Sequence, residues 1–283
     1  MEKRPIIHLT KYMELQVLNL DRNNLKENIM KKISYLFFLL AVTTSLIKCS
    51  TVHSPLSLKM QKKQINVLQQ IPVNDILRSK SPLYLPPRII KEKEFNTKNL
   101  FLFIDSMYAM MQRKAGVGIS ANQLGKQLQI FIIEAKADNP RYKVLGPVAK
   151  KIFINPVITN VSSTRKNFWH ACLSADGKKR GNVASFEWIE YQCQDEKGNI
   201  ITGRLDGFAA VIFQHEFKHL MNGTYLDVAQ DFLTKAELDY QIGIGKIAFF
   251  ETANDSLPLL IGGYKIGETL AAYHAGMRNL QIK

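Results

Sequence analysis

Cysteine is scarce: the chain of 283 residues holds three. So few cannot staple a disulfide scaffold of this size. No internal repeat and no low-complexity block is present. Composition excludes collagen-like, coiled-coil and multi-span membrane classes. Acidic residues are the minority, 24 against 38 Lys+Arg, so the formal charge is 38 − 24 = +14. What is present argues for folding: 46% hydrophobic and 22% charged residues supply material for a core. The length fits one large domain or two small ones. A strongly basic balance points to nucleic acid or acidic membranes unless the charge sits elsewhere.

Half of the excess does sit elsewhere. Residues 1–65 hold 11 Lys+Arg and 4 Asp+Glu, a net +7. Within them, Met30-Lys31-Lys32 precedes an uncharged apolar run from Ile33 to Ile47. That order is the order of a secretory signal peptide, and the run is short for a bilayer span. Residues 1–29 then read as an extension upstream of a working start at Met30. The alternative is a cytoplasmic segment ahead of a single anchor. Leu46-Ile47-Lys48-Cys49 is similar to a lipoprotein processing site, except that Lys48 stands where a small residue is usual. Residues 50–64 read as a polar linker. If residues 30–49 act as a signal, the protein is exported or anchored in a bacterial envelope, with membrane contact through 33–47; otherwise it is cytoplasmic.

Beyond residue 65 the pattern is globular. Leu100, Phe103, Ile104, Met107, Met110 and Met111 recur at helical spacing, and Asn96 or Thr97 can cap the start. Residues 127–134, 152–158 and 184–194 read as strands. Asp195 to Asn199 reads as a hairpin turn into 200–205. A helix is expected over 207–221, stopped by Asn222-Gly223, and another over 234–251. Strands followed by a late helix indicate α+β rather than a doubly wound sheet.

The most specific signal is His215-Glu216-Phe217-Lys218-His219. Positions i and i+4 share a helix face, so both imidazoles can reach one metal, with Glu216 placed as general base. A third ligand is required. Residues after His219 contain no histidine at the metzincin position, which leaves Glu237 downstream or Cys172 upstream. A thiolate with two imidazoles is an ordinary ligand set for a borderline divalent metal. Gly116-Val117-Gly118-Ile119-Ser120-Ala121-Asn122-Gln123 superficially resembles a dinucleotide loop, but an expected helix precedes it where a strand is needed. A tight segment presenting Gln123 to a site is the better reading.

Together these elements resemble peptide deformylase, whose motifs are Gly-φ-Gly-φ-Ala-Ala-x-Gln, Glu-Gly-Cys-Leu-Ser and Gln-His-Glu-x-Asp-His, where φ is apolar. The chain carries GVGISANQ at 116–123, HACLS at 170–174 and QHEFKH at 214–219, in that order. The resemblance implies an α+β fold, with antiparallel or mixed sheets around a central metal-binding helix. It implies one divalent metal, iron(II) or else zinc(II) or nickel(II), held by Cys172, His215 and His219. It implies Glu216 as proton carrier, Gln123 and the Leu173 N–H as oxyanion donors, and Val117, Gly118 and Val211 at the methionine side chain. The partner implied is an N-formylated peptide or nascent-chain N-terminus, with no specific nucleic acid. The catalytic domain would cover 65–232, and 233–283 would form a C-terminal helical extension. A zinc endopeptidase and a non-catalytic formyl-peptide binder are the alternatives.

Departures cluster around the ligands. His170 and Ala171 replace Glu-Gly, Lys218 replaces Asp, and Ser185 stands where an Arg is usual. A charged surround of the metal is thereby expected to be lost as a unit.

Overall fold

Residues 130–135, Ile-Phe-Ile-Ile-Glu-Ala, are apolar on both faces of a strand, which is the signature of a sheet covered on both sides. The computed structural model shows that arrangement. It describes residues 66–281 apart from 73, 140–144, 176–178, 249 and 253–255. Strand β1 is Gly118–Ser120, β2 is Ile130–Ala135 and β3 is Val148–Val161. Phe131 and Ile133 of β2 enter one core cluster, while Ile130 and Ile132 enter the other. The alternation follows from the period of two along a strand.

Helix α1, Lys98–Arg113, covers the second face. All six of its expected core residues are buried. The Thr97 hydroxyl caps its start by accepting from Leu100 N at 3.3 Å. Strands β4, Arg165–His170, and β5, Lys179–Phe186, form the second sheet; β6, Trp188–Gln194, and β7, Ile200–Asp206, return to the first. The first sheet has the order β1-β2-β3-β6-β7, with every pair antiparallel. The expected hairpin joins β6 to β7 with Gln194 opposite Ile200, and Gly198 supplies the positive φ of 91°.

Helix α2, Gly207–Leu220, carries the paired histidines and packs against both sheets. Its apolar residues Phe213 and Phe217 fill the first core cluster with Phe131, Phe153 and Tyr191. Asn222, at φ 64°, and Gly223 end the helix as expected. Strand β8, Asp231–Thr234, then pairs with β5; helix α3 is Lys235–Gly243, strand β9 is Glu251–Thr252, and helix α4 is Leu270–Gln281. The second sheet has the order β8-β5-β4-β9.

Two expectations need correction. The run 184–194 is two strands in different sheets, because the chain turns at Glu187, whose N–H donates to Ser162 Oγ at 2.9 Å. The helix expected over 234–251 stops at Gly243, since Gly245 at φ 72° turns the chain away. The expected boundary at 232/233 falls inside β8, and residues 233–281 supply strand pairing as well as helices. Among the described residues no helix is long and apolar enough to cross a membrane. The extension, signal, Cys49 and linker expectations for residues 1–64 lie outside the described residues.

Candidate metal centre

Three segments converge on one buried point. Helix α2 supplies His215 and His219 from one face. The connection after β4 supplies Cys172, and the turn after β1 supplies Gln123. The ligand atoms of Cys172, His215 and His219 all lie within 4.8 Å of one another, with Cys172 Sγ 3.2 Å from His219 Nε2. The alternative third ligand is not there: Glu237 lies in α3, where its carboxylate accepts from Thr234 N at 2.7 Å and caps its own helix.

Backbone and side-chain bonds fix the turn. Ser120 N donates to Gln123 Oε1 at 2.8 Å, which directs the Gln123 amide nitrogen towards Ser174 Oγ at 3.0 Å and Cys172 Sγ at 3.5 Å. Asn122 Nδ2 donates to the His219 carbonyl at 2.7 Å and ties the turn to α2. Ser120 Oγ donates to Glu216 Oε2 at 2.6 Å. Gln214 acts as a false strand neighbour: it accepts from Phe186 N at 2.8 Å and donates to Phe186 O at 2.9 Å. Helix α2 is thereby pinned to β5. The sequence reading assigned no role to Ser120, Ser174 or Gln214, whose bonds cross between distant segments.

Burial sets the charges. It pushes the Cys172 thiol up to about 12, with Glu216 adding to the rise. It raises Glu216 to about 8 against the opposing bond from Ser120. It lowers His215 to about 4, and it holds His170 and His219 well below the usual histidine value, with His215 adding to both. Neutral imidazoles present lone pairs, and a buried thiol gives up its proton to a divalent cation. The donor set therefore fits a metal by position and by chemistry.

A cavity of about 40 Å³ opens beside this point. Its lining includes Cys172, His215, Glu216, Gln123 and Leu173, together with the expected substrate contacts Val117, Gly118 and Val211. His219 is fully buried and meets the site through Cys172. Phe168, Phe208 and Ile212 complete an apolar wall that was not foreseen. The glycines are required by space. A Cβ on Gly118 would lie 2.3 Å from Glu216 Oε1, and one on Gly116 would lie 2.9 Å from Leu173 Cδ1.

Of the departing residues, His170 meets a candidate ligand through its ring: its Nδ1 lies 3.1 Å from His215 Nδ1. Lys218 is buried at 8% exposure, and desolvation lowers its pKa against the pull of Asp227, which is itself paired with Arg78 at 2.8 Å. Ser185 Oγ is buried without a hydrogen-bond partner among the described residues.

Comparison with known proteins agrees with this geometry. Residues 73–235 match the sequence profile of polypeptide deformylase. Peptide deformylase 2 of Pseudomonas putida is 37% identical over 163 residues, covering 56% of this chain and 89% of that protein. Peptide deformylase of Leptospira biflexa is 33% identical over 138 residues, covering 49% of this chain and 76% of its own length. Among solved structures, the Met-Ala-Ser-bound class I type b peptide deformylase from Acinetobacter baumannii superposes with a TM-score of 0.52 at 26% identity, covering 58% of this chain and 96% of that one.

Proposed function

The chain belongs to the peptide deformylase family, and from that premise we propose how its own residues perform the reaction. It is a metal-dependent hydrolase that removes the formyl group from N-terminal formyl-methionine of peptides and new proteins. The observation that carries the assignment is the convergence of Cys172, His215 and His219 on one point beside Glu216 and Gln123. Cys172, His215 and His219 hold the metal, with iron(II) as the native ion and zinc(II) or nickel(II) as substitutes. When bound, the metal acts as a Lewis acid that activates water near neutral pH and polarises the formyl oxygen.

Glu216 takes the proton of the attacking water and returns it to the leaving amine. It lines the cavity, and the Ser120 hydroxyl holds its Oε2, a placement that suits a group passing a proton between water and the leaving amine. The Gln123 amide and the Leu173 N–H donate to the oxygen that gains charge in the transition state. Gln123 is held for this by Ser120 N, so the donor costs no reorganisation at the moment of reaction. Val117, Val211, Phe168 and Phe208 give the methionine side chain an apolar seat. The small cavity suits a formyl group, whose carbon carries only hydrogen, and rejects larger acyl groups. Export through residues 30–49 remains part of the proposal, and cell fractionation with an antibody to the folded domain checks it.

The test is formate release from formyl-Met peptides by iron- or zinc-loaded protein. Cys172→Ala should lose the metal, whereas Glu216→Gln should keep it and lose turnover. Internal peptide cleavage that survives Cys172→Ala would establish a zinc endopeptidase instead. Tight formyl-peptide binding without formate release would establish a non-catalytic binder.

A further inference from the structure

His170 closes β4, where the family motif has glutamate, and it is 2% exposed. Its Nδ1 lies 3.1 Å from His215 Nδ1, and the two rings stack with centroids 5.3 Å apart at 20°. Tyr225 stacks on His170 and packs tilted against His215, at 6.1 and 5.9 Å. Two imidazole nitrogens at that separation must divide the roles: one carries the proton and the other accepts it. Both rings are buried against each other, and a neutral imidazole has a single N–H to place.

The direction follows from what His215 must do. If His170 donated, His215 would accept at Nδ1 and carry its own proton on Nε2, leaving no lone pair for a metal. If His215 donates from Nδ1, its Nε2 lone pair is free. Only the second direction is compatible with ligation. We propose that His170 is a positioning residue: it accepts the Nδ1–H of His215 and thereby fixes the tautomer and ring plane that present Nε2 to the metal. This rests on the metal site assigned above. The proton of His170 then sits on its Nε2, a buried atom with no hydrogen-bond partner among the described residues. Buried polar atoms are nearly always paired, and an exception calls for a reason. The reason here is that the ring is held for the bond at its other nitrogen. A neutral acceptor thus replaces the carboxylate of the family motif. At this position the surround of the metal is exchanged rather than lost.

The test uses zinc affinity of the full chain, measured by chelator competition, with three variants. His170→Phe keeps a ring against His215 and Tyr225 but offers no acceptor, and zinc affinity should fall about 10–100-fold. His170→Glu restores an acceptor and should return affinity to the wild-type level or above. Cys172→Ala should abolish binding. Nitrogen-15 spectra of zinc-loaded wild type should show His215 protonated at Nδ1 and metal-bound at Nε2, which decides the question even where a variant fails to fold. If Cys172→Ala loses zinc while a folded His170→Phe keeps it within twofold, His170 only packs and the inference is overturned. A His215 bound through Nδ1 overturns it too. If Cys172→Ala binds zinc as well as wild type does, the metal site itself is misassigned.

Discussion

The Ser120 hydroxyl donates to Glu216 Oε2 at 2.6 Å and lies 3.1 Å from the Glu216 carbonyl oxygen. Its single proton goes to the better acceptor, the carboxylate. One oxygen of Glu216 is therefore occupied, and Oε1 is left beside Gly118 and the cavity. The same residue holds Gln123 through its backbone N–H, so the proposed base and the proposed oxyanion donor share one anchor. Ser120→Ala removes only the hydroxyl. A bond to a charged group is worth about 1.5–3 kcal/mol, and partial loss of that orientation should lower kcat about tenfold. KM and metal content should stay within twofold. Steady-state kinetics with metal analysis checks this, and an unchanged kcat would show that Glu216 is held by packing alone.

The raised Glu216 value makes a prediction for the metal-free protein. Its folded pKa of about 8 lies above the ordinary carboxyl value of 4.5, so the folded state binds the proton more tightly than the unfolded one. The stability that this contributes is complete below about pH 4.5 and is lost as pH rises through 8. His215, lowered to about 4, acts in the opposite sense and loses stability as pH falls from 6.5 towards 4; His170 and His219 are lowered too and act in the same direction as His215. Comparison with Glu216→Gln isolates the carboxyl. The advantage of that variant over metal-free wild type should grow by ~1.4 kcal/mol per pH unit across the window. Urea denaturation at four pH values reads it out, and a constant difference would contradict it.

Gly118→Ala tests how tightly the base is packed. The new Cβ would lie 2.3 Å from Oε1, 2.8 Å from Cδ and 2.8 Å from Cγ of Glu216, so the side chain must move. Its bond to Ser120 cannot survive that movement. Formate release should fall at least about a hundredfold, the loss expected when one oriented catalytic group is removed. Zinc binding should persist, because the atoms nearest the added Cβ all belong to Glu216.

Lys218 sits inside the metal motif but contributes a buried charge rather than chemistry. Desolvation lowers its pKa, and its opposing carboxylate, Asp227, is already bonded to Arg78. An apolar chain of similar length removes the cost of burying that charge, and the Arg78–Asp227 pair is left intact. Lys218→Met should therefore leave activity within twofold and raise the free energy of unfolding by about 1 kcal/mol. A drop in the thermal midpoint would mean that the ammonium has a partner worth more than its desolvation.

Legibility in the sequence tracked locality. His215 and His219 share one helical face with Glu216 next to the first of them in sequence, so the spacing identified all three. Helix α1 was visible through six apolar residues at one period, and all six are buried. Cys172 reaches the site from a different sheet, and only the resemblance placed it. The bonds from Ser120 to Glu216, His170 to His215 and Gln214 to Phe186 join segments far apart in sequence, and no periodicity encodes them. The turn at Glu187 carries neither glycine nor proline, so an alternating run looked continuous across two sheets. The tail looked featureless because its anchors are divided between two kinds of structure: Ile261 and Tyr264 come before α4, Leu270 and Tyr273 lie on it, and all are buried in the first core cluster.

Those anchors make the tail part of the scaffold behind the metal. Tyr264 packs edge-on against Phe217 with centroids 4.9 Å apart, and Phe217 follows Glu216 directly on α2. Its hydroxyl also accepts from Ile158 N in β3 at 3.3 Å, so one side chain braces the helix and the sheet together. The backbone near residue 260 adds a short ladder, with Ala184 N donating to Pro258 O at 2.9 Å and Leu260 N to Ala184 O at 2.8 Å. Tyr264→Ala should cost about 3–5 kcal/mol, the range for emptying an aromatic site in a core. Tyr264→Phe keeps the ring and should cost about 1–2 kcal/mol for two lost bonds, the one accepted from Ile158 N and the one donated to Glu268 O. Denaturation by urea gives both values. If Tyr264→Ala unfolds no more easily than Tyr264→Phe, the ring does not support α2, and the tail is an appendage rather than part of the catalytic domain.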